Sequence, residues 1–300
     1  MALRLRPSLP DLIHLDQTGF MRGRCISENF IYAADIVQSC FKRKTPSIDL
    51  KLDFSKAFDF ISWEALDRIL DAKGFPLLWR QWISSLNSSG QSAVLLNGVL
   101  GLWIQCRRGL RQGDSLSPFL FIIITDVLQR LFLDTSAQGL LGHPILDSAP
   151  CLVLQYADDT LIILRADHAH LMNLKNLLDA FSAATGLSIN FGKSTFAPIH
   201  VEPALAASLA AVLGCQVSSF PQTYLGLPLS THKLRLSAFR PIIDKVDRRL
   251  ASLKGKMLSI AGRTILVKSA LRAMPTYAMG ALLLPKGTIK EIDKRSRAFF

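Results

Sequence analysis

Cysteine is scarce and unpatterned in this chain: Cys25, Cys40, Cys106, Cys151 and Cys215 form no CxxC pair and have no histidine at zinc-ligand spacing. A structural zinc site is therefore not expected. The cysteine number is odd, and residues 1–20 lack the continuous apolar core of a secretory signal, which points to a reducing intracellular compartment, nucleus or cytoplasm. Apolar runs of membrane length are also missing, because Asn, Gln, Ser, Gly and Pro interrupt the uncharged stretches 81–106 and 203–232. There is no internal repeat and no low-complexity tract. Acidic residues run short in one region only. Residues 231–300 hold 16 basic and 4 acidic side chains, whereas residues 1–230 hold 19 of each, so the whole net charge of +12 lies in the last 70 residues. Such a distribution suits a near-neutral body carrying a separate element that grips a polyanion; a solvated basic helical surface is the other reading. What is plentiful is apolar sequence: 49% of 300 residues is hydrophobic and 19% charged, enough for the core of one large or two modest domains.

The local patterns describe an α+β chain. Ile48, Leu50, Leu52 and Phe54 alternate with Asp49, Lys51 and Asp53, predicting a strand with one buried and one open face, Asp53 on the open one. Ser62 caps a predicted helix to about Lys73, with Ile61 and Leu66 as a hydrophobic staple and Gly74 as its stop. Pro76 opens a second helix. Ser117 and Pro118 start a third, mostly apolar one through 133, interrupted by Asp126 and Arg130. The β-type runs 151–155 and 160–164 flank a tight turn and make a hairpin with Asp158 and Asp159 at its tip. Asp167 caps a helix ended by Gly186, and short strands are expected at 187–191 and 194–198. Beyond about residue 231 the sequence is helical and basic, broken at Pro275 and Pro285.

Three acids lack a local structural reason. Asp disfavours a strand, and two adjacent Asp at a hairpin tip repel each other. Phosphoryl transfer with two metals needs such hard oxygen ligands, held so that two cations lie roughly 3.5–4 Å apart. An Asp-rich turn is the structural alternative for Asp158 and Asp159.

The strings around these acids decide between the readings. LDFSKAFD at 52–59, GLRQGDSLSP at 109–118 and YADD at 156–159 resemble the reverse-transcriptase palm motifs A, B and C, and GLSINFGKS at 186–194 and YLGLPL at 224–229 resemble the two motifs that follow. DQTGFMRGR at 16–24 and KGKMLSIAGRTILVKSALRAMPTY at 254–277 resemble flanking blocks of plant non-LTR (LINE-type) retrotransposons, so the likeness covers roughly residues 5–300. It implies a right-hand-like polymerase: partial fingers in 1–48, a palm in 49–230 with inserted fingers elements about 60–105, and a helical, basic thumb in 231–300. It also implies RNA-directed DNA synthesis with an RNA template, a DNA primer, dNTPs and two Mg2+ or Mn2+ ions.

Carried over by position, the resemblance makes Asp53 and Asp158 the principal metal ligands and Asp159 their support, with Tyr156 in the same hairpin. It places at Phe58 the aromatic that excludes a ribose 2′-hydroxyl, core packing being the alternative. Gly109, Gln112 and Gly113 form the turn that lets template and base pair approach the backbone, or only the turn before the next helix. Arg111 is a phosphate contact. Lys193 lies where the family has a cation near the departing pyrophosphate, a solvated turn lysine being the other reading. Lys254, Lys256, Arg263, Lys268 and Arg272 are the expected nucleic-acid contacts. Family members carry an endonuclease and more fingers sequence ahead of the position of Met1 and further sequence after Phe300, and Leu253 stands where related thumbs have Trp. A truncated, inactive nucleic-acid-binding remnant is the competing expectation. A group II intron maturase is a third, which the DxSKAFD form and the GRTILVKS block fit less well.

Overall fold

The computed structural model describes residues 1–252 and 258–299. These divide into two compact units, one of residues 1–24 and 40–218, the other of residues 25–39 and 219–300.

The first unit is organised on a five-stranded sheet of order β6-β7-β1-β8-β9, from β1 (Ser47–Leu52), β6 (Leu152–Tyr156), β7 (Asp159–Arg165), β8 (Thr195–Ile199) and β9 (Gln216–Val217). All neighbours are antiparallel except β8 and β9. The central place of β1 changes the expected pattern: Asp49 is buried like Ile48 and Leu50, and the strand ends at Leu52, leaving Asp53 half-buried just beyond it. A two-faced alternation reports one solvated face only when nothing covers the second.

Before β1 come α1 (Ala2–Leu5), α2 (Leu9–Leu12) and α3 (Ile26–Lys42), the last shared between the units. After β1, α4 (Trp63–Ala72) begins as its sequence specifies: the Ser62 hydroxyl accepts from the Ala65 N–H at 3.2 Å, and Ile61 and Leu66 are buried. α5 (Leu77–Ser88) follows Pro76. Two small hairpin ladders, β2 (Gln91–Ser92) with β5 (Ile104–Gln105) and β3 (Leu95–Leu96) with β4 (Val99–Leu100), lead toward α6 (Ser117–Ala137).

α6 is the core helix, with Phe121, Ile122, Ile123, Ile124 and Leu128 completely buried, each worth about 1.5–3 kcal/mol of transfer free energy. Its start differs from the expected cap. Ser117 is already inside the helix, whose N-cap is Leu116 with no side-chain cap bond, and Asp114 closes the turn before it, accepting from the Leu116 N–H at 3.3 Å and the Ser117 hydroxyl at 3.4 Å. The buried acid Asp126 is also explained: it accepts from the His14 N–H at 2.7 Å, from Lys73 at 2.5 Å and from Arg130 at 3.1 Å, tying the N-terminal segment and the end of α4 to α6. α7 (His168–Thr185) has its Asp167 cap and its left-handed Gly186. Residues 187–191 make no strand; only Ile189 bridges, to Phe54. α8 (Pro203–Leu213) completes the unit.

The second unit contains most of α3, the hairpin β10 (Gln222–Tyr224) and β11 (Leu227–Leu229), and the helices α9 (Arg240–Ser252), α10 (Ile260–Leu266), α11 (Thr276–Ala281) and α12 (Lys286–Phe299). A small cluster of Val246, Val267 and Leu271 joins its helices. Arg295 bridges α12 to Asp247 of α9 at 2.7 Å, and the Tyr277 hydroxyl donates to the Leu225 carbonyl at 2.8 Å. Among the described residues no helix is long and apolar enough to cross a membrane.

Candidate active site

The site is assembled where β1 ends beside the β6–β7 turn. Register fixes the neighbourhood: Leu52 pairs with Thr160 and Tyr156 with Asp159, so Asp53, Asp158 and Asp159 emerge at one end of the sheet. Asp53 is held by its backbone. Its N–H donates to the Ser194 hydroxyl at 3.1 Å, and its carbonyl accepts from the Asn190 N–H at 2.7 Å. That places the 190–194 turn, and with it the exposed Lys193, beside Asp53.

Asp158 is open at its surface, yet its carboxyl is raised above the ordinary carboxylate range. Desolvation by the surrounding protein is the largest cause, followed by repulsion from Asp159 and Asp53; its own backbone N–H and Lys51 act the other way. Asp159 and Asp53 are therefore both within electrostatic reach of Asp158. Lys51, two residues before Asp53, lies 3.3 Å from Asp159 and gives the cluster a counter-charge. Its alternation with Asp53 was the signal that could have singled it out. Tyr156 ends β6 on the approach to the turn.

Among the described residues no group of three or more His, Cys, Asp or Glu side chains, the set of Asp53, Asp158 and Asp159 included, is placed so that together it could hold a metal ion. The donor chemistry still fits a hard cation. Mg2+ demands few protein ligands, commonly one or two carboxylates completed by water and substrate phosphate, and like charges gathered around Asp158 are what a cation relieves.

The turn between Tyr156 and Asp159 has an unusual backbone. Ala157 lies at φ 56°, a left-handed conformation that costs a residue with a Cβ about 1–2 kcal/mol. Gln17, fully buried, meets this residue with its side chain: its Oε1 accepts from the Ala157 N–H at 2.9 Å and its Nε2 donates to the Ala157 carbonyl at 3.4 Å. Gln17 lies in the DQTGF string, where no pattern of spacing marks it for this contact.

The predicted GLRQG turn docks on the segment after Asp53. Gly109 N–H donates to the Ile61 carbonyl at 2.8 Å, Leu110 N–H to the Phe58 carbonyl at 2.7 Å, and the Trp63 indole N–H to the Gly109 carbonyl at 2.7 Å. Gly109 has φ 85°, and a Cβ there would stand 2.7 Å from the Asp59 carbonyl oxygen. Gly113, at φ 88°, and Gln112 are exposed, with open space around the Gly113 Cβ position. Arg111 is turned to the end of α5, donating to the Leu86 carbonyl at 3.0 Å and the Ser89 hydroxyl at 3.2 Å. A cleft of about 430 Å³ opens here, bordered by Asp59, Trp63, Arg108, Arg111 and Gln112. Phe58 is half-buried and stacks on Phe121 with centroids 4.7 Å apart, so it packs on the core whatever else it does.

In the second unit, Lys268 and Arg272 are exposed four residues apart, while Arg263 is partly covered and donates to the Leu258 carbonyl at 3.2 Å. Lys254 and Lys256 lie outside the described residues.

Known proteins resemble this chain in sequence and in fold. The family profile described as Reverse transcriptase (RNA-dependent DNA polymerase) matches residues 1–229. The chain is 27% identical over 301 residues to the transposon TX1 uncharacterized 149 kDa protein of Xenopus laevis, covering 98% of this chain and 22% of that protein. It is also 27% identical over 297 residues to the retrovirus-related Pol polyprotein from type-2 retrotransposable element R2DM of Drosophila melanogaster, covering 94% of this chain and 27% of that protein. It thus spans about a quarter of those relatives. Among solved structures, telomerase from Candida tropicalis, in complex with a fragment of telomeric RNA, matches 99% of this chain and 45% of its own with a TM-score of 0.54 at 14% identity, a likeness of fold.

Proposed function

Because this chain belongs to the reverse transcriptase (RNA-dependent DNA polymerase) family, we propose that it is the polymerase portion of a plant non-LTR retrotransposon protein, extending a DNA primer on an RNA template with dNTPs. The observation that carries this reading is the emergence of Asp53, Asp158 and Asp159 at one end of the sheet, where Asp159 and Asp53 help to raise the Asp158 carboxyl.

In this reading residues 1–48 supply part of the fingers, 49–230 the palm with fingers elements about 60–105, and 231–300 the thumb. Asp53 and Asp158 hold the cations, and Asp159, engaged by Lys51, keeps the turn oriented. Two divalent cations, Mg2+ or Mn2+, supply there the charge that activates a primer hydroxyl and offsets the leaving pyrophosphate. Tyr156 borders the primer end. Phe58, anchored on Phe121, limits the space at the sugar of the incoming nucleotide. The exposed Gln112 and Gly113 leave room for a base pair against the backbone, and Arg111 at the cleft margin faces template phosphate. Lys193, beside Asp53 through Ser194, donates a proton or charge to the departing pyrophosphate. Arg263, Lys268 and Arg272, with Lys254 and Lys256, bind the duplex through its phosphates.

The test is primer extension on poly(rA)/oligo(dT) with Mg2+ and dTTP beside an Asp158→Ala control. Extension by the parent chain and its loss in the control are expected. Binding of the duplex with no extension would replace this reading with that of a nucleic-acid-binding remnant.

A further inference from the structure

The Asp158 turn is held by a side chain that lies 140 residues away in sequence. The segment around Gln17 joins the edge of β6 through a single parallel bridge: Thr18 N–H donates to the Gln155 carbonyl at 3.0 Å, and Gln155 N–H to the Asp16 carbonyl at 3.0 Å. Its backbone path is fixed in turn by Arg24, whose guanidinium donates to the carbonyls of His14 at 2.5 Å, Gln17 at 2.6 Å and Ile13 at 3.1 Å. From this braced segment the Gln17 amide engages both backbone groups of Ala157. Its remaining capacity is used as well: Oε1 also accepts from the Gly19 N–H at 2.9 Å, and Nε2 also reaches the Thr125 hydroxyl of α6 at 3.4 Å. The approach is so close that a Cβ on Gly19 would stand 2.4 Å from the Ala157 nitrogen.

We propose that Gln17 is a positioning residue for nucleotidyl transfer: its amide holds Ala157 left-handed and thereby sets where the Asp158 carboxylate points. The inference rests on the reading of Asp158 as a cation-holding residue. An uncharged amide both donates and accepts across a short planar span, so it can pair the N–H and carbonyl of a single residue at once. Without it, two backbone groups in a buried setting lose their partners, and the turn has every reason to relax toward a conformation better suited to alanine. Relaxation would turn the neighbouring carboxylate away while the sheet beneath stayed intact.

The experiment compares the full chain with Gln17→Met, which keeps the shape and removes every hydrogen bond, and Gln17→Glu, which keeps the acceptor and removes the donor. Single-nucleotide extension gives kcat and KM for dTTP, water-proton relaxation gives Mn2+ affinity, and thermal melting sets a temperature at which each variant is folded. Gln17→Met should lower kcat by about tenfold to a hundredfold, the scale of a misplaced reacting group. KM for dTTP should stay within about twofold, since nucleotide contacts are unchanged. Mn2+ binding should weaken, and Gln17→Glu should fall between the two. A folded Gln17→Met chain with parental kcat and parental Mn2+ affinity would overturn the proposal and leave Gln17 an ordinary buried amide. Should Gln17→Met not fold, Gly19→Ala, which presses on Ala157 with Gln17 in place, must reproduce the kcat loss or the proposal fails. If the parent chain extends no primer, the polymerase reading fails separately. The Mn2+ titration still decides then: weaker binding in Gln17→Met upholds the positioning role, equal binding overturns it.

Discussion

Two hairpins in this chain come from similar apolar sequence and end in opposite surroundings. β3 and β4 meet at Asn97–Gly98, whose φ angles of 49° and 82° suit a tight hairpin turn, and Asn-Gly adopts them readily. β6 and β7 meet at Ala157–Asp158, where the left-handed position is filled by a residue ill-suited to it. The first turn is satisfied by its own chemistry, and the residues around it stay exposed, Leu96 at 70% and Leu102 at 90%. The second is held from outside by Gln17, and its strands are buried. A turn that only reverses the chain can be self-sufficient. One whose left-handed position is filled by a residue with a Cβ draws its conformation from neighbours.

The sharpest way to break this comparison lies in the strands. Ile162→Ala, fully buried in the five-stranded sheet, should cost about 2–5 kcal/mol. Leu102→Ser, by contrast, should stay within about 0.5 kcal/mol. Urea denaturation reads both, and a large loss in Leu102→Ser would mean the 91–105 region is packed in solution.

Charge sharpens the contrast further, because the 91–105 segment has none while the sheet buries Asp49 with neither carboxylate oxygen hydrogen-bonded. Burial pushes its carboxyl from 3.8 up to about 7, with Lys51 opposing. The folded value lies above the unfolded one, so folding favours the neutral acid. There is no penalty below about pH 4, stability falls as pH rises toward 7, and the loss levels off above that at something on the order of 4 kcal/mol. Asp49→Asn should flatten this dependence and stabilise the chain at pH 8; denaturation profiles of the two proteins that stay parallel across pH 4–8 would contradict it.

The smallest effects concern the turns themselves and should have opposite signs. Gly98→Ala places a Cβ at positive φ and should lower stability by about 1 kcal/mol. Ala157→Gly relieves that same conflict and should gain about 0.5–1 kcal/mol. Melting curves check both, and a loss in Ala157→Gly would show that alanine is comfortable in the turn.

Much of the fold was legible where its cause is local. Ser62, Asp167 and Gly186 cap and end helices through contacts a few residues away, and the hairpin around Asp158 announces itself by two β-type runs and an acidic tip. Legibility fails where the cause is distant. The burial of Asp49 follows from β1 being flanked by β7 and β8, which alternation within β1 does not reveal. Residues 187–191 resemble a strand, but their backbone is occupied by the chain around Asp53: Ser55 N–H donates to the Ser188 carbonyl at 2.8 Å. Ser117 has the composition of a cap, yet its hydroxyl is spent on Asp114 and the N-cap position falls one residue earlier, at Leu116. In the site, the carboxylates could be found from the strings that contain them. Gln17 could not, because a contact across 140 residues leaves no mark in spacing.

The seat of Gly109 against the Asp59 carbonyl has an evolutionary consequence. A side chain gained at 109 is tolerable only if the backbone near 59 retreats, and that backbone descends directly from Asp53. The two stretches therefore cannot drift independently: relatives that lose the glycine should carry an insertion, deletion or altered turn after the aspartate, and recombinants that swap one stretch without the other should be selected against even when each parent is sound.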